Sequence, residues 1–469
     1  MSENTDQPFE GKVDTRIGKL SFTHDFANGY PTEKTQQKLL DEMDFQRAVQ
    51  SYIWSIPIVG FAQWEYANTH DLGAVNGQIV FAKGYDALRE GLTANTTTPY
   101  SFSWTDLTKE PWIVEIPKGT IRGAAHNIWQ IGLSPMTKAG KYLFVGPENK
   151  VPAGAKKAGY TVVKSNSNNV MQVLRLMSED PKEQLAILKQ IKIYPYSERA
   201  NPKPRGYITP DGKRYRMWQP RGMEYWKRLS DIINREPVQE RDRFFMAMLK
   251  PLGIEKGKPF KPDARQTKIL EQAVLVGEAM AKANDFANPR MKSAFYVKGS
   301  HWEYATTAKP DQRFKNYDDL DGRAKWLYEA LTNNMAMHGQ TTGKGQVYMS
   351  SYKDADGDWL DGGTNYVLHV PANVPAKTFW AFNVYDVSSR TPILNDTRLA
   401  GRSSRMNLLV NADGSVDIYA GPDKPAGDKA KNWIQTVPGK GWFTYFRLYS
   451  PKQAFLDKSW ILPDIEKLK

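Results

Sequence analysis

Trp442-Phe443-Thr444-Tyr445-Phe446-Arg447-Leu448-Tyr449 is the stretch that decides the fold. Aromatic residues fill it with no Gly or Pro to interrupt, so it reads as a strand. Side chains alternate across a strand, which puts Tyr445, Arg447 and Tyr449 on one face, opposite Thr444, Phe446 and Leu448. Phe379 to Tyr385 repeats the pattern, with Asn383 and Tyr385 opposite Trp380, Phe382 and Val384. Thr364 to Val370 does so again, with Asn365 and His369 opposite Tyr366, Leu368 and Val370. Gly, Pro, Asn and Asp turns space these runs between Gln346 and Leu462. Asn411-Ala412-Asp413-Gly414 among them reads as a hairpin turn between two strands. The pattern predicts an antiparallel sandwich.

Outward from that region the period changes twice. Phe45, Val49, Tyr52, Ile53 and Ile56 recur at three- and four-residue steps, the spacing of one buried helical face. Trp112 to Ile116, Tyr142 to Val145 and Tyr160 to Val163 are short strand-like runs closed by Gly and Pro. Helical spacing returns in Met223 to Ile233, Gln239 to Leu249, Gln266 to Ala283 and Asp321 to His338. The chain therefore reads as α+β and β-rich. A β-rich lobe covers residues 15–165, a helical connector 166–340 and a β-sandwich 341–469.

Composition removes several function classes. There is no Cys, which excludes disulfides, thiol catalysis and Cys-ligated metal sites. The formal net charge is +13, but Lys and Arg are spread along the chain rather than gathered into the stripe of a nucleic-acid binder. Tyr52 to Ala62, the longest apolar stretch, is about half the ~20 residues of a membrane span, and Pro57 interrupts it. Met1 to Lys12 is polar and has no apolar signal core, which fits either a cytoplasmic chain or one whose export signal has been removed. GxSxG, Walker and dinucleotide motifs do not occur.

Two constellations remain. Asp354, Asp356, Asp358 and Asp361 place four carboxylates in a Gly-containing loop, a pattern suited to a divalent cation. The alternative is a turn stabilised by its own Asp side chains. If the C-terminal strands are neighbours, His369, Asn383, Tyr385, Arg447 and Tyr449 share one face, which would clamp an anionic or polar ligand. The alternative is a face covered by the helical connector, where these groups satisfy one another. Glu65, Asp106, Glu115 and Glu303 lie nearest to aromatic or apolar runs, but a glycosidase needs two carboxylates at a defined spatial separation, which the sequence does not give, so no pair is singled out.

Several segments together resemble one bacterial family. They are Thr15-Arg16-Ile17-Gly18, Asn28-Gly29-Tyr30-Pro31, Asp44-Phe45-Gln46-Arg47, Thr98-Pro99-Tyr100-Ser101 with Trp104-Thr105-Asp106, and Tyr142 to Pro147. Phe379-Trp380, Tyr385-Asp386, Asn411 to Ser415, Asn432-Trp433 and Arg447 to Pro451 continue the likeness. It is to proteins pairing domain of unknown function 1254 with domain of unknown function 1214. Asn432-Trp433-Ile434-Gln435 departs from the family's Asn-Trp-Leu-Pro, and His126-Asn127-Ile128-Trp129 lacks the acidic residue more often found before that Trp. The resemblance implies two jelly-roll-like sandwich lobes joined by a helical segment, in a periplasmic or secreted protein.

Two functions follow as expectations. One is an exported hydrolase acting on a polar or glycan-like substrate between the lobes. Asp106, Tyr385 and Arg447 would then be catalytic, and Tyr100, His369, Asn383, Asn432, Trp433 and Tyr449 would bind the substrate. The other is a non-catalytic ligand-binding or envelope-structural protein. The Trp and Tyr content also suits a homodimer.

Overall fold

The computed structural model describes residues 11–84, 89–210, 212–286, 291, 294–339 and 341–468. It is β-rich α+β, with two sandwiches separated by a helical layer. The N-terminal sandwich has a six-stranded sheet in the order Tyr207–Ile208, Ile79–Ala82, Tyr100–Asp106, Asn169–Leu176, Ile121–His126, Gly132–Pro135. Its partner sheet runs Tyr160–Lys164, Gly140–Val145, Trp112–Ile116, Lys192–Pro195. Phe81, Val170 and Leu174 from the first meet Trp112, Val114 and Phe144 from the second. This sandwich continues past residue 165, because Asn169–Leu176 pairs on both sides inside its larger sheet.

The C-terminal sandwich is built in the same way. Its five-stranded sheet runs Glu303–Tyr304, Gln346–Ser351, Trp442–Pro451, Ala376–Asp386, Gly401–Ser403. Its four-stranded sheet runs Trp433–Gln435, Val416–Gly421, Tyr366–Val370, Glu466–Lys467. Trp380, Phe382, Phe446 and Leu448 point into this core from the larger sheet, toward Leu368 and Ile418.

Helix α1 (Glu33–Tyr66) explains how the halves join. Thr32 caps its start by accepting from the Thr35 N–H at 3.4 Å. From Ser51 to Glu65 every residue is buried, so this half has no solvent face. One side meets Phe102, Trp104 and Met171 of the N-terminal sandwich; the same apolar cluster takes in Tyr385, Phe443 and Tyr445 of the C-terminal one. Pro57 removes a donor from this helix. Two side chains also donate to helix carbonyls beside it: Gln130 to that of Pro57 at 2.9 Å and Arg323 to that of Trp54 at 3.1 Å. Helix α2 (Pro181–Gln190) lies on the N-terminal sandwich. Helices α3 (Met223–Arg235), α4 (Arg243–Leu249), α5 (Ala264–Phe286) and α6 (Leu320–Glu329) complete the layer.

Two expectations are corrected. The helix expected over Asp321 to His338 stops at Glu329, because Asn333 pairs with the backbone beside Ile131 and draws the chain away. The Asn411 turn forms, with the Asn411 N–H bonded to the Ser415 carbonyl at 2.9 Å, but only the segment after it is a strand. Leu409 before the turn bonds to the Asn432 side chain rather than to a hairpin partner. Among the described residues no helix is long and apolar enough to cross a membrane.

Gly277 sets the α1–α5 approach, since a Cβ there would lie 2.6 Å from the Tyr52 ring. Gly277→Leu is therefore expected to cost at least ~1–3 kcal/mol by overpacking. Leu275→Ala on the exposed face of α5 should change stability by less than ~0.5 kcal/mol. Urea unfolding midpoints of the two variants check this.

Candidate functional site

Strand pairing puts Arg447 opposite Tyr348 on one side and Ala381 on the other. Its guanidinium donates to the Asn383 side chain at 3.0 Å, to the Tyr385 hydroxyl at 2.5 Å and to the Thr93 carbonyl at 2.6 Å. Tyr385 in turn donates to the Ala94 carbonyl at 3.2 Å, and Asn383 to the Thr96 hydroxyl at 2.9 Å. A loop of the N-terminal half, Thr93 to Thr96, is thus tied to the C-terminal sheet. Asn383 and Tyr385 are spent on holding it, while Arg447 and Tyr449 line the space beside it.

The N-terminal sheet supplies the facing wall. Arg175 lies in register with Tyr100 on one neighbouring strand and with Arg122 on the other. Its guanidinium sits 5.1 Å from the ring centroids of both Tyr100 and Tyr449 and donates from Nε to the Thr98 hydroxyl at 3.0 Å. Arg122 reaches across the lobes to the Ser450 hydroxyl at 3.3 Å. Among the described residues none of Arg122, Arg175 and Arg447 forms an ion pair with a carboxylate. Glu329 takes hydrogen bonds from the Tyr445 and Tyr352 hydroxyls. Its neighbours Asp285 and Glu303 share the Lys325 ammonium.

These walls enclose a cavity of about 1130 Å³ between the sandwiches. Trp64, Phe102, Val173, Met217, Trp326 and Met337 make much of its remaining lining apolar. Asp311 is the one carboxylate among its described lining residues.

The Tyr449 oxygen is surrounded by donors. Arg175 approaches with two nitrogens at 3.4 Å, and the Asn95 amide nitrogen makes a short contact. The Asn95 oxygen already accepts from the Thr97 N–H, which fixes the amide so that its nitrogen must face Tyr449. Burial pushes the phenol pKa up, but Arg175, Arg447 and these hydrogen bonds outweigh burial and hold it below the ordinary tyrosine value. His126, also on the cavity wall, is pushed down to about 3 by burial and stays neutral.

The other expected residues, Tyr100 apart, lie elsewhere. Tyr100 reaches the cavity. His369 does not share the face of Asn383, Tyr385, Arg447 and Tyr449; its strand belongs to the other sheet, and it is exposed beside Asp417 at 2.7 Å. Asn432 holds the Leu409 and Asp417 carbonyls, and Trp433 donates to the Gly421 carbonyl. Asp106 is exposed and accepts from the Thr108 N–H, remote in bonding from Tyr385 and Arg447. Asp354, Asp356 and Asp358 bring oxygens within 4.8 Å of one another. The Lys467 ammonium stands among them, at 3.3, 3.4 and 2.6 Å, where a cation would sit. Asp361 turns away to cap Gly363.

Residues 78–195 match the family described as protein of unknown function DUF1254, and residues 345–453 match protein of unknown function DUF1214. The chain joins a DUF1254 domain to a DUF1214 domain. Tyr100, Arg122 and Arg175 come from DUF1254, and Tyr348, Arg447 and Tyr449 from DUF1214, so each domain supplies one cationic wall. The chain is similar in fold to the VPA0106 protein of Vibrio parahaemolyticus, at 20% identity and TM-score 0.55, covering 91% of this chain and 100% of that one. An uncharacterised protein from Burkholderia cenocepacia aligns at 11% identity and TM-score 0.40, over 93% and 97% of the two chains. No curated protein matches the sequence.

His126 makes a testable contribution to acid stability. Its folded pKa lies below the unfolded value of about 6.5. The unfolded chain therefore takes up the proton first, and stability falls as pH drops below that value. Between pH 6.5 and 5 this amounts to ~2 kcal/mol. Urea unfolding of His126→Gln should lack that part of the decline.

Proposed function

We propose that this chain binds an amphipathic organic anion, with a long-chain carboxylate as the simplest case, in the cavity between DUF1254 and DUF1214. The observation that carries the reading is three arginines without carboxylate partners on an otherwise largely apolar wall. A buried cation lacking a counter-charge costs several kcal/mol. Arg122 and Arg175, opposite each other on adjacent strands, add like-charge repulsion. An anion relieves both.

Hydrogen-bond capacity assigns the direct contact. Arg447 and Arg175 spend most of their N–H groups on neutral oxygens, whereas Arg122, half-buried, has one hydrogen bond to Ser450 out of five donors. Arg122 is thus the residue free to grip a carboxylate, in the field of the other two. The apolar wall then takes the chain, at roughly 25 cal/mol per Å² removed from water. Those walls favour an amphipathic ligand over the polar or glycan-like substrate of the hydrolase expectation.

Dodecanoate titrated against tryptophan fluorescence tests this, since Trp64 and Trp326 line the cavity. Dodecanoate is expected to bind at least about tenfold more tightly than dodecanol, the difference that a charge-assisted hydrogen bond supplies. Arg122→Gln should remove that preference with an unchanged circular dichroism spectrum. Equal binding of acid and alcohol, or an Arg122→Gln variant with wild-type affinity, would sink the proposal.

Binding should also depend on pH through Tyr449. Its phenolate would neutralise Arg175 and compete with the ligand's charge, so affinity should fall as pH rises toward and through the Tyr449 pKa, below about 10. In Tyr449→Phe the affinity for dodecanoate should stay flat over the same range.

A further inference from the structure

The cavity opens where its lining residues become exposed, at Pro135, Lys309, Met335 and Lys344. A short finger stands beside that opening. Arg313 and Asp318 pair at its base, at 2.7 Å and in an antiparallel bridge. The Phe314 N–H closes the tip by bonding to the Tyr317 carbonyl at 2.9 Å. Phe314 and Tyr317 pack ring to ring at 4.9 Å, and the Lys309 ammonium lies 4.6 Å above the Phe314 ring. The aromatic tip is therefore continuous with the cavity rim.

These side chains are held in water at a cost. Tyr317 is 63% exposed, Phe314 38% and Met335, across the rim, 77%. Lys309, Lys315 and Lys344 are exposed around them. Asp318 is neutralised by Arg313 and by Arg241 at 3.2 Å, which leaves Asp311 as the carboxylate opposing three lysines. Aromatic rings and Met interleaved with Lys are the composition that settles at an anionic lipid–water interface. There the rings sit at headgroup depth and each Lys near the surface gains about 1 kcal/mol.

We propose that this rim docks the protein on an anionic membrane surface, with the cavity mouth facing the lipid, so that the bound amphipathic anion is exchanged with the bilayer. This rests on the cavity reading above, and it adds the source of the ligand and the surface that meets it. The finger's rings enter the headgroup layer, the lysines meet lipid phosphates, and the ligand's chain passes from bilayer to cavity with little exposure to water.

Co-sedimentation of the full chain with vesicles tests the surface separately from the cavity. Vesicles of phosphatidylcholine mixed with phosphatidylglycerol should retain the protein, with binding lost at high salt, and vesicles of phosphatidylcholine alone should not. The triple variant Phe314→Ser, Lys315→Glu, Tyr317→Ser alters no cavity-lining residue. It should lose at least about tenfold in partitioning, from a reversed charge and two lost anchors. Its dodecanoate affinity in solution should equal that of the wild type. Equal retention on both kinds of vesicle, or a triple variant that partitions like the wild type, would overturn the docking proposal. Vesicle binding that follows the expected pattern without any dodecanoate binding would uphold the surface and reject the cavity reading.

Discussion

A guanidinium that leaves water without a carboxylate to meet it is the constraint on which this structure turns. Arg447 is tied by hydrogen bonds to Asn383, Tyr385 and Thr93, and all three partners are neutral oxygens. Arg175 is treated alike, between the rings of Tyr100 and Tyr449 and against the Thr98 hydroxyl. Such partners fix a cation's position without cancelling its charge. The acidic groups nearby do not line the cavity: Asp285 and Glu303 pair with Lys325, and Glu329 accepts from the Tyr445 and Tyr352 hydroxyls. Two opposite charge clusters are thus kept apart inside one molecule, and of the two only the arginines line the cavity.

That arrangement needs both domains. The Thr93 to Thr96 loop crosses from DUF1254 to the DUF1214 sheet, and Arg122 reaches Ser450 in the reverse direction. Helix α1 packs against both sandwiches through one apolar cluster, so their spacing is set by side chains with no polar face to slip on. The cavity is a space that this spacing leaves between the sandwiches, with Trp64 of α1 and Trp326 of α6 in its lining. Pairing the two domains in one chain therefore has a physical consequence: neither wall alone makes the site.

Part of this was legible in the residues and part was not. Strand alternation is local, so Asn383, Tyr385, Arg447 and Tyr449 could be placed on one face from Trp442 to Tyr449 and Phe379 to Tyr385 alone. His369 shows the limit of that reasoning, since identical alternation occurs in strands of two different sheets. Arg175 sits in a run, Asn169–Leu176, that is buried on both faces, and its charge there carries no periodic signal. Arg122 looks like an ordinary surface residue until its strand is paired with that run. The Asp354 loop suggests a divalent-cation site from its local spacing alone; three of its four carboxylates converge, and the Lys467 ammonium that stands among them comes from the far end of the chain. Convergence across long sequence distance is what a single sequence conceals.

The most direct test is a crystal structure of the full chain grown with a bromine-tagged long-chain carboxylate. The account predicts a carboxylate within hydrogen-bond distance of Arg122, and an anomalous bromine signal on the apolar wall near Trp326 and Phe102. A signal outside the cavity, or a carboxylate seated away from all three arginines, would contradict it.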